Sequence, residues 1–392
     1  MSTAALAEAS GLQGSQSAVY SSQEASQPPG PSQQQPLVAA APAPPAHPPH
    51  RGWLPNAHVL HGEISLPGSR YGSLNQDFVA TQELHEGGYL RRHPQSQCYM
   101  TVVLDGHGML GELAAREAGV AILHSIRDSE LRHKQLEDMA KQEVEAMIRA
   151  AFLAGHLAAL RVFDNAPRTY DFPKGSSMEE RYVLGVHPPT GDKAYTAAHA
   201  GSRMLEFGTT ATLAIVQGTS LAIGNVGDSL AVLGREEGEE YLADVVTERH
   251  FGWDPAERAR VEAACGDSAT VSQDDGYLIV EEGRLRGFQL GMTRALGHRL
   301  LSQYGVSSIP TVSLHKLAPE HMCLIVATDG VWEVLGSAAA VKLVCDALAE
   351  GHTPGEAARQ LAAEAVHLAD GPVRAQGAAD NTTVSLFVFA EL

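Results

Sequence analysis

The sequence predicts an α+β protein built on antiparallel sheets. Three observations favour this class. Short strand-like runs outnumber the helical segments, tight turns of the hairpin kind join many of these runs, and the helical segments come in pairs. A doubly wound parallel sheet would instead show strands that alternate regularly with helices.

The first 50 residues differ in composition from the rest of the chain. They are rich in Ser, Gln, Ala and Pro, and their acidic side chains are Glu8 and Glu24. Such a segment buries too little apolar surface to offset the entropy that ordering would cost. We expect a disordered tail over 1–50 and one folded domain over 51–392.

The first half of the domain contains short strands, a long helical region and a turn-rich segment. In the turn-rich segment, 168–206, we expect an irregular surface insertion that lies over a site as a flap. The strand-like runs are 59–66, 77–80 and 99–104, and the helical segments are 113–126 and 134–163, with Pro167 ending the second one.

The second half is predicted to begin with a four-stranded meander and a short helix over 255–264. Asp274-Asp275-Gly276 leads directly into a strand and is predicted to be an ordinary hairpin turn. Two helices follow, and the second opens with the capping box Thr353-Pro354-Gly355-Glu356 and ends before Gly371. The meander strands are 210–217, 220–226, 230–233 and 241–246, and the last strand is 382–389.

Two of the buried strand-like runs end in an aspartate that is followed by glycine. These aspartates are Asp105 and Asp329, and a third, Asp380, precedes the last strand. Asp-Gly is common in hairpin turns, so a purely structural interpretation stays open. However, neither run continues into a partner strand, and no basic residue adjoins these aspartates in the sequence. Carboxylates at the mouths of buried strands repel one another, so the pattern favours a hard divalent cation bound between them.

Composition limits the classes of partner and the compartment. A formal net charge of −18 argues against nucleic acid and anionic membranes, and no uninterrupted apolar run reaches the ~18 residues of a membrane span. The four cysteines are scattered without metal-ligand spacing, which is typical of a reducing compartment. The N-terminus lacks the features of a signal or transit peptide. We expect a cytoplasmic or nuclear monomer that binds neither nucleic acid nor membrane.

Seven motifs, taken in order, resemble those of the metal-dependent protein phosphatase family, also called the protein phosphatase 2C family. Most are weak alone, but their order and spacing over residues 60–390 are specific. They are Asn75-Gln76-Asp77, Asp105-Gly-His-Gly108, Gly208-Thr-Thr-Ala-Thr212, Asn225-Val-Gly-Asp-Ser229, Thr293-Arg-Ala-Leu-Gly297, Ala327-Thr-Asp-Gly-Val-Trp332 and Asp380-Asn-Thr-Thr383.

The resemblance implies a four-layer α-β-β-α sandwich of two antiparallel sheets flanked by helix pairs. It also implies hydrolysis of phosphoserine and phosphothreonine in signalling proteins by metal-bound hydroxide, with two Mg²⁺ or Mn²⁺ ions per site and a weaker third. Asp105 would bridge both ions, and the carbonyl oxygen of Gly106 would bind one of them. Asp329 and Asp380 would hold the other, with Asp77 helping directly or through water.

Other residues acquire candidate roles from the same resemblance. His107 would be the general acid that protonates the leaving oxygen, although a lone buried His is often only structural. Asp228 and Glu333 would bind a third ion, with the alternatives of a turn residue and a helix-start carboxylate. Asn381 would orient Asp380.

The sequence departs from the family pattern at several positions. Gln76 replaces a Glu, Gly72 replaces the Arg that grips the substrate phosphate, and His298 replaces an Asp. Arg70 is the candidate substitute for the missing phosphate ligand. The usual Thr-Pro-Asp-His run is only loosely matched by 247–250. Two other hypotheses therefore stay open: a catalytically weak regulator that binds phosphoproteins or kinases, and a hydrolase of another phosphoester.

Overall fold

The computed structural model describes residues 58–70, 73–84, 97–171, 181–186, 191, 193–197, 204–371 and 378–390. Residues 47–392 form one compact unit. The predicted tail, 1–50, and Gly72 lie outside the described residues, so the predictions made for them stay predictions.

Strands and helices are numbered here in chain order. The helices are α1 Gly111–Arg127, α2 Lys141–Asn165, α3 Pro255–Cys265, α4 Asp329–Trp332, α5 Ser337–Ala349 and α6 Pro354–Asp370. The strands are β1 His58–Leu66, β2 Phe78–Glu83, β3 Cys98–Leu104, β4 Gly106–Gly108, β5 Thr169–Asp171, β6 Arg181–Val186, β7 Lys193–Ala197, β8 Met204–Leu205, β9 Phe207–Thr209, β10 Ala211–Gln217, β11 Ser220–Val226, β12 Leu230–Glu237, β13 Glu240–Val245, β14 Ala269–Val271, β15 Leu278–Val280, β16 Gln289–Leu290, β17 Leu296–Gly297, β18 Thr311–Lys316, β19 His321–Ala327 and β20 Thr382–Ala390.

Two five-stranded antiparallel sheets form the centre of the fold. One has the order β1-β20-β19-β12-β13 and the other β18-β11-β10-β3-β2. Between them lies an apolar layer that includes Val103, Ile223, Val326 and Phe387, all with 1% or less of their surface exposed. Alternate residues along each strand point to this layer, because side chains in a strand alternate between the two faces.

A helix pair covers the outer face of each sheet. α1 and α2 pack on the second sheet through residues such as Ile122 and Phe152, and α5 and α6 pack on the first through Val341 and Leu361. The capping box at Thr353 is present, with Thr353 Oγ1 accepting from the backbone N–H of Glu356. The predicted four-layer sandwich is therefore confirmed.

Helix α2, with 25 residues, is the longest helix among the described residues. By length and composition alone it could cross a membrane, and 44% of its most apolar 18-residue window is buried inside the protein. Its buried face packs on α1 in the core. The sequence expectation differed because it counted only uninterrupted apolar runs, and Arg149 and His156 interrupt this one.

Two sequence predictions about strands need correction. The described parts of 168–206 are not irregular but form a small sheet, β5-β6-β7-β8, whose fully buried Tyr182 and Tyr195 join the core. The predicted meander is instead two hairpins in different sheets, since β10–β11 belongs to one and β12–β13 to the other. The chain crosses between the sheets at 227–229, and this crossover positions Asp228.

Candidate metal centre

Three aspartates from distant parts of the chain meet at one end of the sandwich. Asp105 follows β3, Asp228 lies at the crossover from β11 to β12, and Asp329 follows β19. One carboxylate oxygen from each lies within 4.8 Å of the corresponding oxygens of the other two. Two of these residues were predicted as principal ligands. The structure adds Asp228, which sequence analysis assigned only to a third ion or a turn.

The electrostatics of this carboxylate cluster are unfavourable for the protein alone. Burial, followed by the charges of Asp329 and Asp77, raises the pKa of Asp105 well above its ordinary value. Burial and then the charge of Asp228 do the same to the pKa of Asp329. For Asp228, burial is the main cause that raises the pKa to about 6. Burial and mutual repulsion therefore oppose ionisation of all three carboxyl groups, and a positive charge placed between them would favour their ionised forms.

Unused hydrogen-bonding capacity identifies the kind of ligand that fits. Oδ1 of Asp77, Asp228 and Asp329 is buried and accepts no hydrogen bond within the described part of the chain. A buried carboxylate oxygen without a partner is costly, so such atoms call for a ligand. A divalent cation that prefers oxygen ligands, such as Mg²⁺ or Mn²⁺, satisfies both the charge and the open oxygens.

Asp77 lies at the edge of the cluster, immediately before β2. Its Oδ2 accepts a hydrogen bond from Thr328 Oγ1 at 3.0 Å, which fixes the carboxylate. Burial raises the pKa of Asp77 to about 7, and the nearby charge of Asp380 adds to the shift. The neighbouring Gln76 faces another way: its Nε2 donates to the carbonyl of Gly108 at 2.8 Å. Gln76 therefore holds the β4 turn in place.

Asp380 has a basic side chain as its direct partner. Arg70 donates to its Oδ2, and the backbone N–H of Asn381 donates to its Oδ1 at 2.8 Å. Asp380 still lies close to the cluster, since its charge raises the pKa of Asp77 and Asp105. No basic residue adjoins Asp380 in the sequence, but Arg70, which is distant in sequence, lies beside it in space.

The Asn381 side chain and its backbone make separate contacts. Its Oδ1 accepts from the backbone N–H of Gln76 at 2.9 Å, and its Nδ2 donates to the carbonyl of Leu74 at 3.0 Å. These bonds fix the segment 74–76 that leads to Asp77. The backbone of Asn381, and not its amide, is what contacts the Asp380 carboxylate.

Close backbone packing explains why glycine follows Asp105. A Cβ at Gly106 would lie 2.3 Å from the carbonyl oxygen of Gly111 and 2.5 Å from that of Gln76. The backbone N–H of Asp105 donates to Thr210 Oγ1 at 3.0 Å, and its carbonyl oxygen accepts from the N–H of Thr210 at 2.9 Å. The backbone around Asp105 is thus fixed from both sides.

His107 forms a pair with His298. Their Nε2 atoms are 2.6 Å apart and their rings are stacked with centroids 4.8 Å apart. Burial and the neighbouring His298 lower the pKa of His107 well below its ordinary value, and burial lowers the pKa of His298 to about 3. Both rings are therefore neutral, with one Nε2 donating and the other accepting. The predicted acid role of His107 stays a prediction.

Glu333 lies one turn after Asp329, and its backbone N–H donates to the carbonyl of Asp329 at 2.8 Å. Its charge contributes to the raised pKa of Asp228 and of Asp329. It is therefore near the cluster, as a third-ion ligand would need to be, and that role stays a prediction.

Sequence analysis missed several residues that shape the site. Thr328 and Thr210 hold Asp77 and Asp105, and Glu206 lies 3.7 Å from the His298 ring. The two threonines stand inside motifs that were recognised, directly before Asp329 and within 208–212, so their position was available as a signal. Glu206 carries no such signal, because nothing local places it behind His298.

Comparison with known proteins agrees with this geometry. Two models of the family described as Protein phosphatase 2C match residues 69–251 and 179–370, which together span most of the described chain. The chain belongs to the protein phosphatase 2C family. Dependence on Mg²⁺ or Mn²⁺ is general in this family, in line with the open carboxylate oxygens.

Individual relatives are similar over part of their length. Probable protein phosphatase 2C 38 of Oryza sativa is 37% identical over 144 residues, 36% of this chain and 31% of the relative. Probable protein phosphatase 2C 33 of Arabidopsis thaliana is 34% identical over 289 residues, 67% of this chain and 56% of the relative. The matched segment covers about a third to a half of the length of curated relatives such as these.

Solved structures support the fold. A serine-threonine phosphatase 2C from Toxoplasma gondii superimposes with a TM-score of 0.61 at 18% identity, covering 88% of this chain and all of that one. A sex determining protein of C. elegans gives a TM-score of 0.54 at 19% identity, covering 85% of this chain and 65% of that one. At these identities the likeness concerns the fold alone.

Proposed function

We propose that this protein phosphatase 2C member is a metal-dependent hydrolase that removes phosphate from serine and threonine side chains of proteins. The observation that carries the proposal is the cluster of Asp105, Asp228 and Asp329, whose oxygens approach within 4.8 Å and remain partly unpaired. A protein without a use for a cation gains nothing from such repulsion.

The residues present suit hydrolysis of a phosphoester. Bound between these carboxylates, divalent ions would supply an acidified water molecule and neutralise the charge of the phosphoryl group. Asp105, Asp228 and Asp329 bring their oxygens together, and Thr328 fixes Asp77 beside them. His107, paired with His298, lies on β4, the strand that follows Asp105, where it would hold a proton near the leaving oxygen.

Loss of one central carboxylate should abolish activity. We expect Mn²⁺-dependent release of phosphate from a phosphothreonine peptide by the natural chain, and a fall of about a hundredfold or more in Asp329→Asn. The matched control is Asp275→Asn. Asp275 also precedes a glycine, but it lies in an exposed hairpin turn, far along the chain from the cluster. Activity of Asp329→Asn equal to that of the natural chain would contradict the proposal.

A catalytically weak regulator that binds phosphoproteins or kinases is the second candidate. Two observations favour it: the Asp380 carboxylate is already paired with Arg70, and Nε2 of His107 is already bound to His298. Uptake of Mn²⁺ without phosphate release in the same assay would favour this candidate over the first.

We also propose that the protein works in a reducing compartment, the cytoplasm or nucleus. The support is chemical: Cys98, Cys265, Cys323 and Cys345 are all free thiols buried in the protein.

A further inference from the structure

Arg249 is a cation beside the carboxylate cluster with unused hydrogen-bond donors. Its side chain is half-buried, and it forms no hydrogen bond or ion pair with any residue in the described ranges. Its positive charge is close enough to Asp228 to lower the pKa of that carboxyl, against the larger effect of burial. Its guanidinium carbon lies 5.6 Å from the ring centroid of Phe251.

The backbone on both sides of Arg249 is pinned to the site. The N–H of Gly227 donates to His250 Nδ1, and the N–H of His250 donates to the carbonyl of Gly227, each at 3.0 Å. On the other side, Asn225 Nδ2 donates to the carbonyl of Glu248 at 2.8 Å. Arg249 is therefore held next to the Gly227-Asp228 crossover by its neighbours, and its own side chain has no part in holding the loop.

The N–H groups of the Arg249 guanidinium suit an anionic ligand. A cation–π contact such as the one with the Phe251 ring leaves N–H groups of the guanidinium available for hydrogen bonds. By contrast, Arg70 is engaged by Asp380, and Arg294 by Glu257. A guanidinium with open N–H groups at the rim of a metal site matches the paired oxygens of a phosphate.

We propose that Arg249 binds the phosphate group of the substrate, in the role that the family assigns to the position of Gly72. This inference rests on the proposed function, since the phosphate is that of the phosphoprotein to be hydrolysed. It assigns phosphate binding to the loop after β13, on the Asp228 side of the cluster, and not to Arg70 on the Asp380 side.

Inorganic phosphate is the probe, measured by calorimetry with Mn²⁺-saturated protein and as a competitive inhibitor of phosphopeptide hydrolysis. We expect Arg249→Ala to weaken phosphate binding about ten- to a hundredfold, as loss of a charge-assisted pair does. Arg249→Lys should lose less, because it keeps the charge without the planar fork. Mn²⁺ affinity should change less than about threefold. Arg116→Ala, on the exposed surface of α1, should bind phosphate as the natural chain does.

Two results would overturn the inference. One is unchanged phosphate binding in Arg249→Ala together with loss in Arg70→Ala, which would assign the role to Arg70. The other is an Arg249→Ala variant that loses phosphate binding only to the extent that it loses Mn²⁺ binding. Arg249 would then support the metal site through Asp228 and would not bind phosphate itself. Arg249→Gln tests the same point if the alanine variant is unstable. If the natural chain binds phosphate through Arg249 but hydrolyses no phosphopeptide, the proposed function is refuted and this inference is supported.

Discussion

At the scale of one residue, Asp228 shows how a carboxyl group buried without a cation destabilises the folded protein. Only 6% of its surface is exposed, its Oδ1 accepts no hydrogen bond among the described residues, and its pKa rises to about 6. For Asp77, the pKa rises to about 7. In the unfolded chain both groups have an ordinary pKa near 3.8. Between these pKa values, the folded, metal-free protein therefore binds protons at Asp77 and Asp228 that the unfolded chain has released.

This difference fixes the sign of a pH dependence. Because the folded state binds more protons, the metal-free protein should lose stability as pH rises from about 4 through 7. Calorimetry in EDTA between pH 5 and 8 should show a falling Tm, and Mn²⁺ should reverse the fall by binding the ionised carboxylates. Asp228→Asn should flatten the profile and raise the metal-free Tm at pH 8 by about 2–4 °C. A Tm that rises with pH in EDTA would contradict this account.

Sequence analysis identified the site aspartates that directly follow a buried strand, because the neighbouring residues reveal where such a strand ends. Asp105 and Asp329 follow apolar runs, and such runs reveal the end of a buried strand. Asp228 stood in the recognised motif 225–229, but an Asp-Ser pair after a glycine has the composition of an ordinary turn. Its central place depends on the crossing of the chain between two sheets. The pairing of Arg70 with Asp380 spans 310 positions, and nothing local indicates it.

At the scale of elements, a small three-stranded sheet, β17-β9-β4, organises the histidine pair. His107 in β4 lies opposite Gly208 in β9, and Gly208 lies opposite Gly297 in β17. His298 follows with a φ of 52°, a left-handed conformation that is uncommon outside glycine. The two rings meet across Gly208, where a Cβ would lie 2.4 Å from the His298 ring. The missing side chain at Gly208 therefore makes room for the pair.

A side chain at Gly208 should break this arrangement. We expect Gly208→Ala to destabilise the protein by about 1–3 kcal/mol, because the methyl group overlaps the buried ring of His298. The control is Gly185→Ala, in strand β6, where a Cβ would have no atom within 4 Å. Urea unfolding of both variants measures the difference. Equal stability of the two variants would show that the His298 ring is free to move aside.

At the scale of the whole molecule, the site depends on the packing of two sheets. Asp105 follows a strand of one sheet, Asp329 follows a strand of the other, and Asp228 lies where the chain passes between them. A cation bound by all three would therefore stabilise the sandwich as a unit.

The α+β class and its antiparallel sheets could be predicted from sequence, because strand runs, helical spacing and the capping box at Thr353 are local patterns. The four-layer arrangement was predicted only through the resemblance to the family. The small sheet within 168–206 could not be predicted, since its strands are short and turn-rich stretches of the sequence separate them. The division of the expected meander between two sheets was also hidden, because hairpin strands look alike whichever sheet they join.

The position of bound manganese tests the central claim most directly. A crystal grown with millimolar Mn²⁺ and measured at the manganese absorption edge would show the ion by anomalous scattering. The account predicts a peak within about 2.0–2.6 Å of carboxylate oxygens from at least two of Asp105, Asp228 and Asp329. An occupied manganese site elsewhere with no peak at this cluster would contradict it.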